Sequence, residues 1–415
     1  MTTALRRSFN SLEVPNYRRY FAGQVISLSG NWMQNVTALW LVLSLTNSGF
    51  AVGLTTALQF LPMLLFGAWG GLLADRLPKR RLLFITQTLM MIPAAGLFLI
   101  TAFGVEAPWM IFIAVFLFGT VNCVDNPTRQ SFVIEMVGQD RLVNAVSLNS
   151  VIIEVARIVG PAIAGVLIAT VGVVPCFGIN LLTFVAMLVA LWAMDPRALR
   201  APPPAVRKRG AIREGLRHVR QTPELAVPLA LMALLGTFGF NFQVALPLLA
   251  KFSFGGGAGS YAVLVSAMGV GSIIAALVNG HRGKTGAAVI AGASLAFGVT
   301  ALLAAVMPVL ALEAVTLAAL GAAAVTFVSS INSTIQLAVS AEMRGRVMAL
   351  FSIVFLGSTP IGGPLTGWLA EAYDPRLTLV LAGISGLSAA WAARLAFARL
   401  SERAGAQSRP LEASA

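Results

Sequence analysis

The chain has 415 residues, of which 57% are hydrophobic and 11% charged, with a mean hydropathy of +0.83. Soluble domains carry about 25% charged residues, so this composition excludes a soluble globular protein and fits a polytopic membrane protein with almost no extramembrane domain. The net charge of +13 would suit nucleic acid, but the basic residues lie in the turns between apolar segments, which excludes that reading.

The first 20 residues lack an apolar core, and no cleavable signal peptide is expected there. A membrane span needs about 20 mostly apolar residues. Twelve windows qualify: 21–45, 50–73, 82–103, 108–128, 143–169, 173–194, 225–250, 260–280, 286–307, 311–336, 347–370 and 377–398. The chain is organised around Gly71-Leu72-Leu73-Ala74-Asp75-Arg76-Leu77-Pro78-Lys79-Arg80-Arg81, which joins the second and third windows. Apolar flanks of that length leave room only for a tight, charged turn at a membrane face. Gly67, Ala68, Gly70 and Gly71 before it let a neighbouring helix approach closely.

Lys and Arg accumulate in cytoplasmic loops. With both termini inside, 26 of the 29 basic residues fall on that side, including Arg6, Arg7, Arg129, Arg141, Arg207, Lys208, Arg209, Lys284 and Arg409. Outside loops hold only Lys251 and Arg376, and Arg157 lies within a span. The asymmetry predicts a bacterial-type cytoplasmic (inner) membrane protein with both termini cytoplasmic and its basic face against anionic lipid.

Residues 195–224 form the one long loop, with Pro196 and Pro202-Pro203-Pro204, then a basic surface helix near 211–221. The expected organisation is a six-helix bundle over 1–194, a cytoplasmic linker over 195–224, a second bundle over 225–400 and a tail over 401–415. The halves echo each other weakly. Asn126-Pro127-Thr128-Arg129-Gln130 recurs as Asn332-Ser333-Thr334-Ile335-Gln336, Gly160-Pro161 as Gly363-Pro364, and Ala38-Leu39-Trp40 as Ala245-Leu246-Pro247, at offsets of 203 to 207. Such repeats put a binding site at the bilayer midplane between two halves that rock about it.

Glu154 is read as the one carboxylate deep within a span, about 18 Å along the fifth window at 1.5 Å per residue. Arg157 follows three positions later on the same helix face. A charge at the bilayer centre costs about 2.5–3.5 kcal/mol on the lenient scale, so the pair either faces a cavity or pins two helices together. In the first reading Glu154 carries a proton with its affinity set by Arg157, or the pair forms part of the substrate site. Asp125 is a second proton-coupling candidate, with a gate contact or helix-end charge as its plainer role.

Ser27, Asn31, Gln34, Asn35 and Thr37 put a polar stripe on the first window, and Thr237, Asn241 and Gln243 do so on the seventh. Asn122, Asn332 and Gln336 add polar groups on the fourth and tenth. Each could be interhelical glue. Their fall on equivalent windows suits a shared cavity, and Trp32, Trp40, Phe238, Phe240 and Phe242 beside them suit a large, partly apolar solute. Gly160-Pro161 through Gly165 and Gly363-Pro364 are read as hinges or sliding contacts.

Cys123 and Cys176 fall toward opposite leaflets, so no disulfide is expected. Gly283-Lys284-Thr285 resembles the tail of a phosphate-binding loop, but Val278 stands where its first glycine belongs. His218 and His281 are the only histidines, which leaves no metal cluster and no His-dependent triad to assemble. No cofactor, no enzymatic activity and a monomer are expected.

These residues resemble the major facilitator superfamily over nearly the whole chain. The Gly71–Arg81 turn looks like that family's signature between helices 2 and 3. The resemblance implies an all-α membrane protein of twelve transmembrane helices in two pseudo-symmetric six-helix bundles. It also implies gating by Gly71, Asp75, Arg76, Lys79 and Arg80, with Asp75 and Arg76 latching the outward-facing state. Gly160–Gly165 looks like the glycine-proline signature of antiporter helix 5. Asn16–Gln24, Asn126–Asn149 and Arg344–Met348 resemble the drug:proton antiporter branch, which includes macrolide efflux proteins and enterobactin exporters. The implied function is proton-coupled export of amphipathic small molecules. The alternatives are dedicated export of a siderophore or other secondary metabolite, and a membrane receptor or assembly factor without transport.

Overall fold

In hydrocarbon each backbone group must be hydrogen-bonded inside its own segment, and the apolar windows answer as helices. The structure, a computed structural model, describes residues 10–200, 211–282 and 285–407. Arg6, Arg7, the prolines 202–204, Arg207, Lys208, Arg209, Gly283, Lys284, Arg409 and the end of the tail lie outside the described residues.

The first six spans are α1 (Pro15–Thr46), α2 (Gly49–Arg76), α3 (Lys79–Ala102), α4 (Pro108–Val137), α5 (Leu142–Val171) and α6 (Val174–Trp192). Proline in the first turn starts α1, α4 and α6, where a missing N–H costs nothing. Asn47 ends α1 in the left-handed region at φ 52°, its N–H bonded to the Leu43 carbonyl. The Ser48 hydroxyl then caps α2 by accepting from the Ala51 N–H at 3.1 Å. The linker carries helix α7 (Ala211–Gln221). It is held to the second half by Glu214 on Arg346 at 2.7 Å and by the buried Val219.

The second half comprises α8 (Pro223–Phe238), α9 (Phe242–Leu248) with a π-helical turn over Leu249–Ser253, α10 (Ala258–Arg282), α11 (Ala287–Ala305), α12 (Leu310–Ala338), α13 (Ala341–Gly357), α14 (Thr359–Ala372) and α15 (Arg376–Gln407). Eleven stretches among the described residues are long and apolar enough to cross a membrane. Helix α1 completes the twelve: its 32 residues are long enough, but its polar stripe dilutes its hydropathy.

Two windows read as single spans are broken helices. The 225–250 window breaks at Gly239–Asn241, where the Asn241 side-chain amide donates to the Thr237 carbonyl at 2.7 Å and replaces a backbone donor. The 347–370 window breaks at Ser358, two residues before Pro360, whose ring cannot continue the preceding helix. Helix α4 runs well past its apolar window. Residues 129–137 continue α4, so Arg129, counted above as a loop residue, is buried inside the protein.

Helices α1 to α6 form one bundle, with α1 on α5 and α6, α2 on α4, and α3 on α4 and α6. The second bundle pairs α10 with α12 and α11 with α12 and α15. The bundles meet along α2 with α14, α5 with α10, and α1 with α9. Glycines make this seam possible. A Cβ on Gly53 would overlap the Gly363 carbonyl, one on Gly367 the Gly49 carbonyl, and one on Gly165 the Ala262 Cβ. The backbones of α2 and α14 therefore touch directly, as small residues allow in membranes.

Candidate functional site

The end of the bundles that carries the Arg76–Arg81 turn is called the basic face here. Near the opposite face the seam is closed by charges. Lys251, at the end of the broken seventh span, donates from Nζ to the Asn47 Oδ1 at 2.6 Å and the Leu43 carbonyl at 3.2 Å. Glu371, at the end of α14, accepts from the Phe50 N–H at 2.9 Å and from the Ser48 hydroxyl. A cation of the second bundle thus sits on the C-terminus of α1, and an anion on the N-terminus of α2. Each sign matches the partial charge of the helix end it meets. The α1–α2 turn is clamped from both sides.

Beneath the clamp Trp40 stacks on Tyr261 across the seam, with centroids 6.3 Å apart. Next toward the basic face, Asn35 Nδ2 donates to Gln243 Oε1 at 3.3 Å, again from one bundle to the other. Here a cavity opens, with roughly 600 Å³ of unfilled space including its mouth. The first bundle contributes Trp32, Asn35 and Arg157 to its wall, and the second contributes Phe240, Phe242, Gln243, Tyr261, Met268 and Ser272. The break before α9 brings Phe240 into this wall, where it also packs on Phe297 (5.3 Å), Phe327 (6.1 Å) and Phe355 (6.3 Å).

Arg157 reaches the cavity with its guanidinium 5.4 Å from the centre of the Trp32 ring. Its side chain is 41% exposed, and Glu154 Oε2 lies 3.8 Å from its Nη1. That Glu154 oxygen is buried and has no hydrogen-bond partner. Gly160 lets α5 come this close to α1, since a Cβ there would meet the Ser29 carbonyl and the Trp32 Cβ, each at 2.7 Å.

Among the residues singled out from the sequence, Asn35, Arg157, Phe240 and Gln243 come together on the cavity wall. Adjacent Gln34 points about 100° away around the helix and accepts from Asn180 Nδ2 at 2.7 Å inside the first bundle. Asn31 and Asn122 are half-buried, and Asn31 Oδ1 has no hydrogen-bond partner. Asn241 holds the helix break. Gln336 donates to Asn332 on α12, and Gln130 donates to Asn126 at 3.2 Å on α4. The repeated sequence therefore makes the same side-chain bond in both halves.

Asp125 is buried and saturated. It accepts from Thr86 at 2.6 Å and Gln87 at 2.8 Å and pairs with Arg129. Arg129 in turn donates to Gln24 at 2.8 Å. This network knits α1, α3 and α4 inside the first bundle, away from the cavity. In the charged turn Lys79 pairs with Glu135 at 3.0 Å, both buried. Arg80 donates to the Leu191 and Trp192 carbonyls at 2.9 and 3.1 Å, which caps the C-terminus of α6. Gly71 and Asp75 are half-buried at the end of α2, and Arg76 is exposed. Pro161 lies on the buried side of α5, while Gly165, Gly363 and Pro364 lie in the seam.

Sequence reading missed three charges. Arg129 lay beyond its apolar window, and Glu135 lay beyond it as well. Glu313 lies three residues into the tenth window, yet it is fully buried and neither carboxylate oxygen has a hydrogen-bond partner. The available signal was spacing: Asp125, Arg129 and, two turns on, Glu135 all fall within one helical stretch of α4.

Comparison with known proteins agrees with this architecture. The chain is 28% identical over 264 residues to the staphyloferrin A transporter of Staphylococcus aureus (strain NCTC 8325 / PS 47), a match that covers 62% of this chain and 65% of that one, just under two thirds of its length. It is 25% identical over 390 residues to the enterobactin exporter EntS of Citrobacter koseri, covering 90% of this chain and 88% of that one. It shares its fold with the POT family transporter PepTSo, at a TM-score of 0.74 and 12% identity over 94% of this chain and 99% of that one. Residues 7–413 match the family described as transmembrane secretion effector, and the chain belongs to that family of the major facilitator superfamily.

Proposed function

We propose that this chain is a secondary active transporter that exports amphipathic small molecules, of the multidrug or antibiotic type, by alternating access. One observation carries the reading: a largely aromatic cavity with a few polar side chains, on the seam between two bundles and shut toward one face by Lys251, Glu371 and the Trp40–Tyr261 stack. Bundles that rock about such a seam expose it to one side at a time. The basic residues make the basic face cytoplasmic, with both termini there and anionic lipid against it. The conformer described here is then the one poised to load from the cytoplasm. In this reading the chain works as a monomer, divided at 194, 224 and 400.

Protons are the coupling ion in this proposal. Glu154 exchanges a proton with Arg157 as its partner, and Asp125 with Arg129 fixes the first bundle so that it moves as a unit. Asp75, Arg76, Lys79 and Arg80 form the latch on the basic face when that side closes. One charge crossing 100 mV supplies about 2.3 kcal/mol, or roughly a 50-fold gradient. The test is transport into inverted vesicles with and without an uncoupler. Concentrative transport that collapses with the uncoupler, and that Glu154→Gln loses, is the expected result. Transport by Glu154→Gln as concentrative as that of the native chain removes Glu154 as carrier.

A second reading, dedicated export of a siderophore or other secondary metabolite, is favoured by the Arg157 cation on the cavity wall and by the names of two relatives.

A further inference from the structure

We propose that the seam cavity selects solutes bearing an anionic group next to a flat aromatic body, with Arg157 as the anion anchor and Trp32 and Phe240 as the walls that hold the ring. The inference rests on the reading of the seam as the substrate site.

Arg157 is the one charged side chain among the cavity's described lining residues. A guanidinium presents five N–H donors in a fixed fork. None of the described residues accepts a hydrogen bond from this one. Glu154 stands 3.8 Å away, too far for the 2.7–2.9 Å contact of a charge-assisted hydrogen bond, and it lies outside the cavity wall. The Trp32 ring lies with its centre 5.4 Å from the guanidinium carbon, a cation–π contact that takes up no conventional hydrogen-bond acceptor. The guanidinium's uncommitted donor fork is what a carboxylate or similar oxyanion takes bidentately.

The remaining wall completes the match. Trp32 and Phe240 come from different bundles, so a ring between them touches both halves. Asn35 and Gln243 bond each other at a long 3.3 Å and keep spare donors and acceptors for the polar edge of a solute. A bound oxyanion and the Glu154 carboxylate compete for one guanidinium. Loading therefore loosens the Glu154–Arg157 contact at the place where the bundles must move.

The test uses the purified full chain in lipid nanodiscs and three probes of one shape: 2-naphthoate, 2-naphthamide and 2-naphthylmethylammonium. Quenching of tryptophan fluorescence gives each affinity. Naphthoate is expected to bind at least about tenfold more tightly than the ammonium probe, as a charge-assisted hydrogen bond supplies. Arg157→Gln is expected to remove that preference, with the ammonium probe bound at least as tightly as by the native chain because a repelling charge is gone, which also reports that the cavity is intact. Arg157→Lys is expected to keep part of the preference. Ammonium binding equal to or tighter than naphthoate in the native chain overturns the proposal and leaves the seam as the substrate site. Naphthoate affinity within twofold in Arg157→Gln overturns it as well. Failure of all three probes to bind the native chain overturns the seam site itself, and the anion assignment with it.

Discussion

The clamp on the α1–α2 turn is where geometry makes its most direct demand on conformational equilibrium. Replacing both Lys251 and Glu371 by Gln removes the charges but keeps side-chain length. Four hydrogen bonds are involved, two from Lys251 and two to Glu371. Glu371 is exposed and Lys251 half-buried, so water screens both. A charge on a helix end in such a place is worth about 0.3–1 kcal/mol. The pair together then hold the seam shut by about 0.6–2 kcal/mol, and the double variant shifts the population open toward that face by about 3–30-fold. Thr56, 1% exposed and facing Gly363 across the seam, is the reporter. A Thr56→Cys chain in nanodiscs reacts with a bulky maleimide only when the seam parts there. The native Cys123 and Cys176 are buried, and the chain without the reporter gives their background. The labelling rate is expected to rise by the same factor, about 3–30-fold, in the double variant. A rate changed by less than twofold would refute the clamp as a gate.

Two further outcomes follow from packing. Asp125→Asn or Arg129→Gln leaves one buried charge without its partner, which costs about 3–5 kcal/mol. A marked fall in Tm in detergent is expected for each single variant, with partial recovery in the double variant. An unchanged Tm for Arg129→Gln alone would contradict the network. Gly53→Ala drives a methyl into the Gly363 carbonyl, an overpacking worth about 1–3 kcal/mol against the closed seam. Thr56→Cys labelling is expected to rise here too, while Gly96→Ala, with nothing within 4 Å of its Cβ, leaves it unchanged.

The twelve spans, the charged turn and the repeat of the halves were legible in the sequence because lipid imposes them. Hydrocarbon tolerates only segments that satisfy their own backbone, and it strands basic residues on one face, so composition and spacing suffice. The chemistry inside the bundles was only partly legible. Gln34 and Asn35 are neighbours in sequence with the same amide, yet one is spent on Asn180 and the other faces the cavity. Helix rotation relative to neighbours decides that, and no single-helix pattern contains it. Arg129 was counted as a loop residue and Glu135 passed over because a buried charge is tolerable only with its partners present, and those partners, Asp125, Gln24 and Lys79, are assembled by packing. The break at Asn241 that brings Phe240 to the wall and the clamp of Lys251 and Glu371 on a turn some 200 and 320 residues away belong to the same class. Hydrophobicity along the chain is a local property and set the spans. Which charges meet is a non-local one, decided by the packing of helices inside each bundle and by the docking of one bundle on the other.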